Sequence, residues 1–242
     1  MDTIKVNSKN CKMVAHRGVS KLEKENTCPA FVAAGNRSYY GIETDVHLTK
    51  DNKIVVIHDE TTERISDGAN NINVEENDYS AVADIVLPDI DGSTHRQDIR
   101  IPLLKDYISI CKKYEKKCVL EVKNEFPREG IVQLLEEIKE MEYLENVIFI
   151  SFSFENCVML RELSPESEIQ FLTHKEITDE VIDSLVENKL DLDAHYKLLT
   201  KELIDELHSK GIVINCWTVD NPEKAEILVD MGVDFITSNI LE

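Results

Sequence analysis

The sequence predicts a closed (β/α)8 barrel. The length of 242 residues suits this architecture, which typically needs about 250. Short apolar runs alternate with longer segments of helical period, a rhythm typical of a parallel sheet. An open, doubly wound sheet is the alternative, but the first predicted strand is not followed by the Gly-x-Gly-x-x-Gly pattern typical of dinucleotide-binding folds.

The first part of the chain is predicted to contain two barrel strands and one hairpin arm. Residues 13–16 form the first strand and residues 28–38 the first helix. Residues 41–48 alternate on a two-residue period, which is typical of a strand, and the polar turn at 50–52 leads into a return arm at 53–57. A parallel crossover needs about a dozen residues, so this short turn predicts an antiparallel hairpin.

The segment 60–101 is poor in periodicity and rich in Asp, Asn and Gly, which predicts a small insertion with one helical turn within 74–85. Beyond it the alternation becomes regular. Helices are predicted at 103–115, 128–141, 154–163, 178–187, 200–210 and 221–231, and strands at 117–122, 147–151, 169–172, 190–193, 212–217 and 234–237. Without the hairpin arm, eight strands remain, and we expect a single domain over 1–242 with its insertion at about 60–101.

Composition excludes several classes of partner. The chain has 27 basic and 47 acidic residues, a net charge of −20, whereas nucleic-acid binding needs a basic surface. The same charge disfavours anionic lipid surfaces. No stretch approaches the roughly 20 apolar residues of a membrane span, and residues 1–10 do not resemble a signal peptide. We therefore expect no nucleic acid and no stable membrane anchoring, while the oligomeric state stays open.

The six cysteines are scattered and include no Cys-x-x-Cys pair. Several lie in apolar runs, which is typical of small, buried, reduced side chains. Structural disulfides are uncommon in the cytosol, so this usage predicts a cytoplasmic protein.

Three carboxylates are predicted to meet where barrel enzymes place their active sites, at the C-terminal ends of the strands. Glu43 and Asp45 lie two residues apart on the second strand and share one face, and Glu121 lies near the end of the third. Carboxylates in a barrel mouth are costly to bury without a cation. Oxygen ligands without thiolates favour a hard divalent ion, Mg²⁺ or Ca²⁺, whereas zinc more readily recruits histidines.

Basic and imidazole side chains are predicted around the same mouth. His16 and Arg17 end the first strand, Lys123 lies at the end of the third, and the return arm of the hairpin brings His58 beside the carboxylates. With a metal bound, Arg17 and Lys123 supply positive charge suited to a phosphate group. The alternative is a structural ion network without catalysis.

The other histidines and the single tryptophan carry weaker signals. A structural role is expected for His47, His95, His174 and His208. His195, which follows the sixth strand, is left open. Trp217 ends the seventh strand, and packing in the barrel wall is its simplest interpretation.

Short motifs along the chain resemble one known family. In order they are Ala15-His16-Arg17-Gly18, Glu25-Asn26-Thr27, Glu43-Thr44-Asp45-Val46, Val56-Ile57-His58-Asp59, Glu121-Val122-Lys123, Ser151-Phe152, Trp217-Thr218-Val219 and Gly232-Val233-Asp234-Phe235-Ile236-Thr237. Their types and order, from about residue 13 to 238, resemble the glycerophosphodiester phosphodiesterases.

The resemblance implies a phospholipase-C-like barrel that hydrolyses small-molecule glycerophosphodiesters to an alcohol and sn-glycerol 3-phosphate with one divalent cation. The roles it implies are metal ligation by Glu43, Asp45 and Glu121, acid–base catalysis by His16 and His58, phosphate or substrate binding by Arg17, Lys123 and Trp217, and support of the first loop or the metal's surroundings by Glu25. It also implies a small insertion after the second strand.

The chain departs from the family pattern outside this set of metal ligands and histidines. Lys24 stands where proline is usual, Ser153 where an acidic residue is common, and Phe235 and Ser238 replace a common glycine and aspartate. These departures concern substrate preference more than chemistry. Two alternative functions share the fold: a phospholipase-D-like lyase that forms a cyclic phosphate from lysophospholipids, and a non-catalytic barrel that binds phosphodiesters.

Overall fold

The computed structural model describes residues 2–242, in which nine strands form one sheet. The strands are β1 (Lys12–Ala15), β2 (Gly41–Leu48), β3 (Ile54–Val56), β4 (Lys117–Val122), β5 (Val147–Ser151), β6 (Glu168–Thr173), β7 (Asp191–His195), β8 (Ile214–Trp217) and β9 (Phe235–Ser238). The α-helices are α1 (Cys28–Gly35), α2 (Leu104–Lys113), α3 (Arg128–Glu140), α4 (Phe154–Leu163), α5 (Asp179–Asn188), α6 (Lys201–Ser209) and α7 (Pro222–Met231). Single 3₁₀ turns lie at Tyr79–Ala81, Leu144–Asn146 and Tyr196–Leu198.

Eight of these strands close into a parallel barrel. β1 pairs in parallel with both β2 and β9, and the ring continues from β2 through β4, β5, β6, β7 and β8 to β9. β3 lies outside the ring and pairs antiparallel with β2, with Val46 opposite Val56 and Leu48 opposite Ile54. The predicted barrel is therefore confirmed, and the run at 53–57 is the return arm of a hairpin.

The two-residue period of the strands separates two buried environments. On β4, Leu120 and Val122 pack in the large core between the barrel and its helices, while Val119 belongs to a smaller apolar cluster inside the barrel. Glu121 follows Val119 on the same face. The inward face of this strand thus carries a carboxylate toward the barrel mouth.

Local chemistry explains where helices begin and end. The side chain of Asn221 accepts a hydrogen bond from the Lys224 N–H at the start of α7, and Gly232, at φ +98°, ends that helix. Helix α1 ends at Gly35, three residues before the predicted end, where the Asn36 side chain donates to the Val32 carbonyl oxygen. Strand β7 runs to His195, two residues beyond the predicted end.

The segment between β3 and α2 builds its own small core beside the barrel. Its buried side chains, which pack with Val55 of β3, are Ile57, Ile65, Val74, Val82, Leu87, Ile99 and Ile101. A bridge between Thr61 and Asn73 folds the segment on itself, and one 3₁₀ turn lies inside the predicted range 74–85. This packing fixes the chain immediately after His58.

The longest of the helices, α3, has 13 residues. Across residues 2–242, none of the helices has both the length and the apolar character needed to cross a lipid bilayer.

Candidate active site

Three acidic side chains converge at the mouth of the barrel. Asp45 on β2 is paired in register with Glu121 on β4, and Glu43 lies two residues before Asp45 on the same face. One carboxylate oxygen from each of the three lies within 4.8 Å of the others. All three are buried, with exposed fractions of 3% for Glu43, 1% for Asp45 and 7% for Glu121.

This acidic triad (Glu43, Asp45 and Glu121) is electrostatically unbalanced. Burial raises the pKa of Glu121 to about 8, and the neighbouring charge of Asp45 adds to the shift. Burial and Asp45 raise the pKa of Glu43 in the same way. Burial opposes ionisation of Asp45 too, but Arg17 and Lys123 hold its pKa below the usual range. The positive charge beside the triad is therefore too small to balance three ionised carboxylates.

A cation fits this arrangement. The Oδ1 atom of Asp45 is buried and accepts no hydrogen bond, although Lys123 Nζ lies 3.5 Å away. An unsatisfied anionic oxygen beside two further buried carboxylates is a costly arrangement without a positive charge between them. The donor set, carboxylate oxygens only, suits a hard divalent ion.

Arg17 and Lys123, which follow the ends of β1 and β4, border the triad. The backbone N–H of Arg17 donates to Glu43 Oε2 at 2.8 Å, and Arg17 Nε lies 3.5 Å from Asp45 Oδ2. Lys123 Nζ donates to Glu121 Oε1 at 2.7 Å. Both cations are largely buried, and the carboxylates around them raise their pKa values although burial opposes this.

His16 is held by a chain of side-chain hydrogen bonds. Its Nδ1 lies 2.7 Å from Asn239 Oδ1, and the Asn239 amide group donates to Asp220 Oδ2 at 2.7 Å. Because the amide nitrogen of Asn239 faces a carboxylate, its oxygen faces His16, which therefore donates through Nδ1. Burial and the charge of Arg17 lower the pKa of His16 to about 4. The Nε2 atom lies 4.0 Å from Glu43 Oε2.

His58 reaches the triad from the hairpin side. Its Nε2 lies 4.0 Å from Asp45 Oδ1, and its Nδ1 is 2.6 Å from Asp59 Oδ1. Burial lowers the pKa of His58, while the charges of Asp45 and the hydrogen bond to Asp59 act in the opposite direction. The antiparallel return predicted from the sequence thus brings His58 beside Asp45.

A pocket opens over these groups at the mouth of the barrel. Its lining residues are His16, Arg17, Glu43, His58, Glu121, Ile150, Phe152, Leu172, Asp193, Trp217 and Thr237. Trp217 and Phe152 form an aromatic wall, with ring centres 5.6 Å apart. The pocket is therefore lined by both ionisable and aromatic groups.

Glu25 and Asn26, from the loop after β1, support the charged side. Glu25 Oε1 accepts a hydrogen bond from Arg17 Nη1 at 2.9 Å. Asn26 donates to Asp45 Oδ2 at 2.7 Å and accepts from the Thr44 hydroxyl group at 2.7 Å. Asn26 is thus one of the groups that orient a carboxylate of the triad.

The remaining histidines lie in different surroundings. His47 is buried, with Nδ1 2.6 Å from Glu75 and Nε2 donating to the His58 carbonyl oxygen. His208 pairs with Asp234 away from the pocket lining, and His95 lies exposed in the insertion. His174 and His195 extend the aromatic wall, with ring centres 5.7 Å from Phe152 and 5.5 Å from Trp217 respectively.

Sequence reasoning gave no role to several side chains that hold the site in place. Asp59 and Asn26 directly follow predicted site residues within the sequence motifs, and this position is the one signal that could have identified them. Asn239 and Arg64 carry no comparable signal. Their positions depend on how the loop after β9 and the insertion return to the barrel mouth.

Proteins of one known family resemble this chain over nearly its whole length. The sequence profile described as "Glycerophosphoryl diester phosphodiesterase family" matches residues 16–241. A protein of Caldanaerobacter subterraneus subsp. tengcongensis named "Glycerophosphodiester phosphodiesterase" is 30% identical over 242 residues, covering 94% of this chain and 93% of that one. A similar protein of Bacillus altitudinis with the same name is 28% identical, over 93% of each chain.

Solved structures share the fold. A glycerophosphodiester phosphodiesterase from Parabacteroides distasonis superposes with a TM-score of 0.79 at 27% identity and covers 99% of this chain and 94% of its own. A phosphodiesterase from Oleispira antarctica, in complex with the product sn-glycerol-3-phosphate, has a TM-score of 0.84 at 21% identity, over 98% of this chain and 96% of its own. With the profile match over nearly the whole length, these findings show that the chain belongs to the glycerophosphoryl diester phosphodiesterase family.

Proposed function

We propose that this chain is a divalent-metal-dependent hydrolase that cleaves glycerophosphodiesters, such as glycerophosphocholine or glycerophosphoethanolamine, to an alcohol and sn-glycerol 3-phosphate. The observation that carries the proposal is the arrangement of two histidines around one acidic triad. His16 and His58 each point Nε2 at a different carboxylate of the triad, at 4.0 Å. Membership of the family supports the same class of reaction.

The acidic triad would hold one divalent cation, Mg²⁺ or Ca²⁺. When bound there, such an ion would neutralise phosphate charge and lower the pKa of a hydroxyl group beside it. Asn26 keeps Asp45 oriented through its hydrogen bond to Oδ2, which leaves Oδ1 free of hydrogen bonds. Support of this kind sets the position of a metal ligand.

Arg17 and Lys123 bind and orient the phosphodiester. Their side chains border the triad, so an anionic group over the carboxylates meets positive charge from both sides. Arg17 offers a planar set of N–H donors suited to phosphoryl oxygens, whereas Lys123 acts as a single charge. Charge that develops on those oxygens is stabilised in place.

The two histidines divide the proton transfers. His16 donates through Nδ1 to a neutral amide, which leaves the Nε2 lone pair available to accept a proton. His58 has a carboxylate at Nδ1, which stabilises the protonated ring against burial, the main cause of the lowered pKa of this histidine. We assign the general base to His16 and the general acid to His58: the first takes the proton of the attacking hydroxyl, and the second protonates the departing alcohol oxygen.

The attacking hydroxyl belongs either to the glycerol moiety itself or to water. In the first course a cyclic phosphate forms and water then opens it, and the histidines exchange roles for the second step. In the second course one displacement gives the monoester. The same residues serve both courses.

The aromatic wall of Phe152 and Trp217 supports a site for the apolar part of the substrate. Aromatic faces bury carbon-rich groups and interact with cationic headgroups. We place the departing alcohol on this wall.

The remaining features of the proposal concern the whole chain. The net charge of −20 supports a small-molecule substrate rather than a nucleic acid. All six cysteines have free thiols, which supports a cytoplasmic location. The continuous barrel supports a single domain in which residues 60–101 are an insertion.

Phosphorus NMR tests the proposed function. The protein is mixed with glycerophosphocholine and glycerophosphoethanolamine, with Mg²⁺ and Ca²⁺ in one sample and excess chelator in another. A glycerol 3-phosphate signal that grows only with metal is the expected result. A persistent cyclic phosphate signal would instead indicate the lyase, and unchanged diester signals with metal would contradict turnover of these substrates.

A further inference from the structure

Arg64, in the segment after β3, makes the most extensive set of side-chain hydrogen bonds beside the pocket. Its Nε donates to Asp59 Oδ2 at 2.6 Å, and its Nη2 lies 3.3 Å from Asp59 Oδ1. On its other edge, Nη1 and Nη2 donate to Glu25 Oε2 and Oε1 at 2.9 and 2.8 Å. One guanidinium group therefore binds two carboxylates, each through both of its oxygens.

Each of these carboxylates holds a residue of the proposed machinery. Asp59 Oδ1 lies 2.6 Å from His58 Nδ1, and Glu25 Oε1 accepts from Arg17 Nη1 at 2.9 Å. Arg64 itself does not line the pocket. One carboxylate separates Arg64 from the candidate general acid, and another separates it from the candidate phosphate-binding arginine.

We propose that Arg64 is a positioning residue that locks the His58–Asp59 pair and the Arg17–Glu25 pair into one arrangement. The inference rests on the proposed function, because it assigns Arg64 to that reaction. Arg64 belongs to the insertion, whereas Glu25 lies in the loop after β1. The contact thus joins the loop after β1 to the segment after β3.

The chemistry of the side chain explains why arginine stands here. A planar guanidinium binds carboxylates through two parallel N–H groups on each edge, whereas an ammonium group acts as a single charge. Without Arg64, the Asp59 and Glu25 carboxylates would lose their shared cation, and each could turn toward solvent. His58 and Arg17 would then sample several orientations.

A role in packing explains the contact less well. The Arg64 side chain is 48% exposed, so its removal leaves no buried cavity. An exposed ion pair contributes little to folding stability. Arg128 offers a matched control, since its side chain is 54% exposed and pairs with Glu162 at 3.0 Å on the outer helices.

The first test compares turnover of glycerophosphocholine by Arg64→Gln, Arg64→Lys and Arg128→Gln. Loss of supporting hydrogen bonds around a site typically costs about 10–100-fold. We expect kcat of the Arg64→Gln protein to fall by this factor with a melting temperature close to wild type. The kcat of Arg64→Lys should be only slightly higher than that of Arg64→Gln, and the kcat of Arg128→Gln should equal that of wild type. A kcat within twofold of wild type for Arg64→Gln would overturn the proposal.

Chemical rescue separates positioning from a general structural effect. Because the Arg64 site is open to solvent, guanidinium ion added at millimolar concentration can enter the space left in Arg64→Ala. We expect guanidinium ion to raise the kcat of Arg64→Ala at least severalfold and to leave the kcat of Arg128→Ala unchanged. An equal response of the two variants would contradict the assignment.

A third measurement does not depend on turnover. In ¹⁵N-labelled protein, the ring signals of His58 should shift in Arg64→Gln, while those of His208 stay at their wild-type positions. Unchanged His58 signals would overturn the proposal whether or not the substrate is hydrolysed. If wild type fails to hydrolyse the diester but the His58 signals shift, the proposed function fails and the positioning role stands.

Discussion

At the barrel mouth, the acidic triad places three buried carboxylates beside two cationic side chains. The consequence is visible in Glu121, whose pKa burial and Asp45 raise to about 8. A divalent ion bound between these oxygens would restore the balance of charge. The cost of keeping them together in the folded protein supports the proposal that such an ion binds here.

Metal binding should therefore stabilise the folded protein. We expect millimolar Mg²⁺ or Ca²⁺ to raise the melting temperature, since a ligand at 100 times its Kd contributes about 2.7 kcal/mol, or several degrees for a chain of this size. Differential scanning fluorimetry with metal or chelator measures the shift. Glu121→Gln should lose most of it, because a neutral amide replaces one anionic ligand.

A matched control for Glu121→Gln is Glu168→Gln, since Glu168 is an exposed carboxylate paired with Lys117 at 3.1 Å. Its metal-induced shift should equal that of wild type. A Glu121→Gln protein stabilised as strongly as wild type would contradict the assignment of the metal site.

Sequence spacing predicts part of this site because strands impose it. Residues two apart on a strand share a face, so Glu43 and Asp45 could be paired from the sequence. The hairpin turn likewise predicts that His58 returns to the triad. Arg64 and Asn239 could not be placed, because they come from irregular segments whose paths depend on tertiary packing.

At the scale of elements, the loop after β1 carries His16, Arg17 and Glu25, and its shape depends on Gly18. This glycine has φ +77°, and a Cβ atom there would lie 2.6 Å from the backbone carbon of Ala30. The close approach of the loop to α1 therefore requires a residue without a side chain. It also explains how His16 and Arg17 face the pocket as the chain turns toward the helix.

Gly18→Ala should destabilise the protein more than Gly68→Ala. Both glycines have positive φ values, but nothing lies within 4 Å of a Cβ atom at Gly68. Backbone strain alone costs about 1 kcal/mol, whereas the clash at Gly18 adds overpacking of about 1–3 kcal/mol. Urea unfolding of the two variants measures the difference. Equal free energies of unfolding would show that the loop does not need the close approach.

Strand β7 begins with a carboxylate whose ionisation opposes folding. Burial raises the pKa of Asp191 to about 6, and the charges of Glu168 and Asp234 add to the shift, while Arg161 and a hydrogen bond from the Val213 N–H oppose it. The folded protein thus holds this proton more tightly than the unfolded chain. Its contribution to stability falls as the pH rises from about 4 to 6, and the full penalty persists above that range.

Asp191→Asn should remove the penalty and keep an oxygen to accept the Val213 N–H. A shift of about two units corresponds to at most about 3 kcal/mol, and we expect a gain of about 1–2 kcal/mol at pH 8. The gain should be roughly half as large at pH 5. Urea unfolding at both pH values measures it, and a gain independent of pH would contradict the role given to this carboxylate.

The barrel itself could be predicted because each of its elements carries a local signal. Alternating strand and helix periods, an eight-strand count and one short hairpin turn determine the ring that the structure shows. Element ends were less predictable, as the early end of α1 at Gly35 shows. The insertion contributes six buried side chains to a small core, but its Asp- and Gly-rich sequence conceals their pattern.

At the scale of the whole molecule, an acidic protein with a net charge of −20 places two largely buried cations, Arg17 and Lys123, at the mouth of the barrel. Arg17 lines the pocket there together with both candidate catalytic histidines, and Lys123 borders the acidic triad. Family membership agrees with the proposed class of reaction, and the matched region spans residues 16–241. The charge distribution and the geometry point to the same anionic, small-molecule substrate.

The most direct measurement is turnover of glycerophosphocholine, with metal present, by wild type, His16→Ala and His58→Ala. Acid–base groups typically contribute about 10²–10⁴-fold, so release of glycerol 3-phosphate should fall by that factor in both variants. His208→Ala, which changes an exposed histidine paired with Asp234, should retain wild-type turnover. Near-wild-type turnover by either His16→Ala or His58→Ala would contradict two-histidine catalysis at this site.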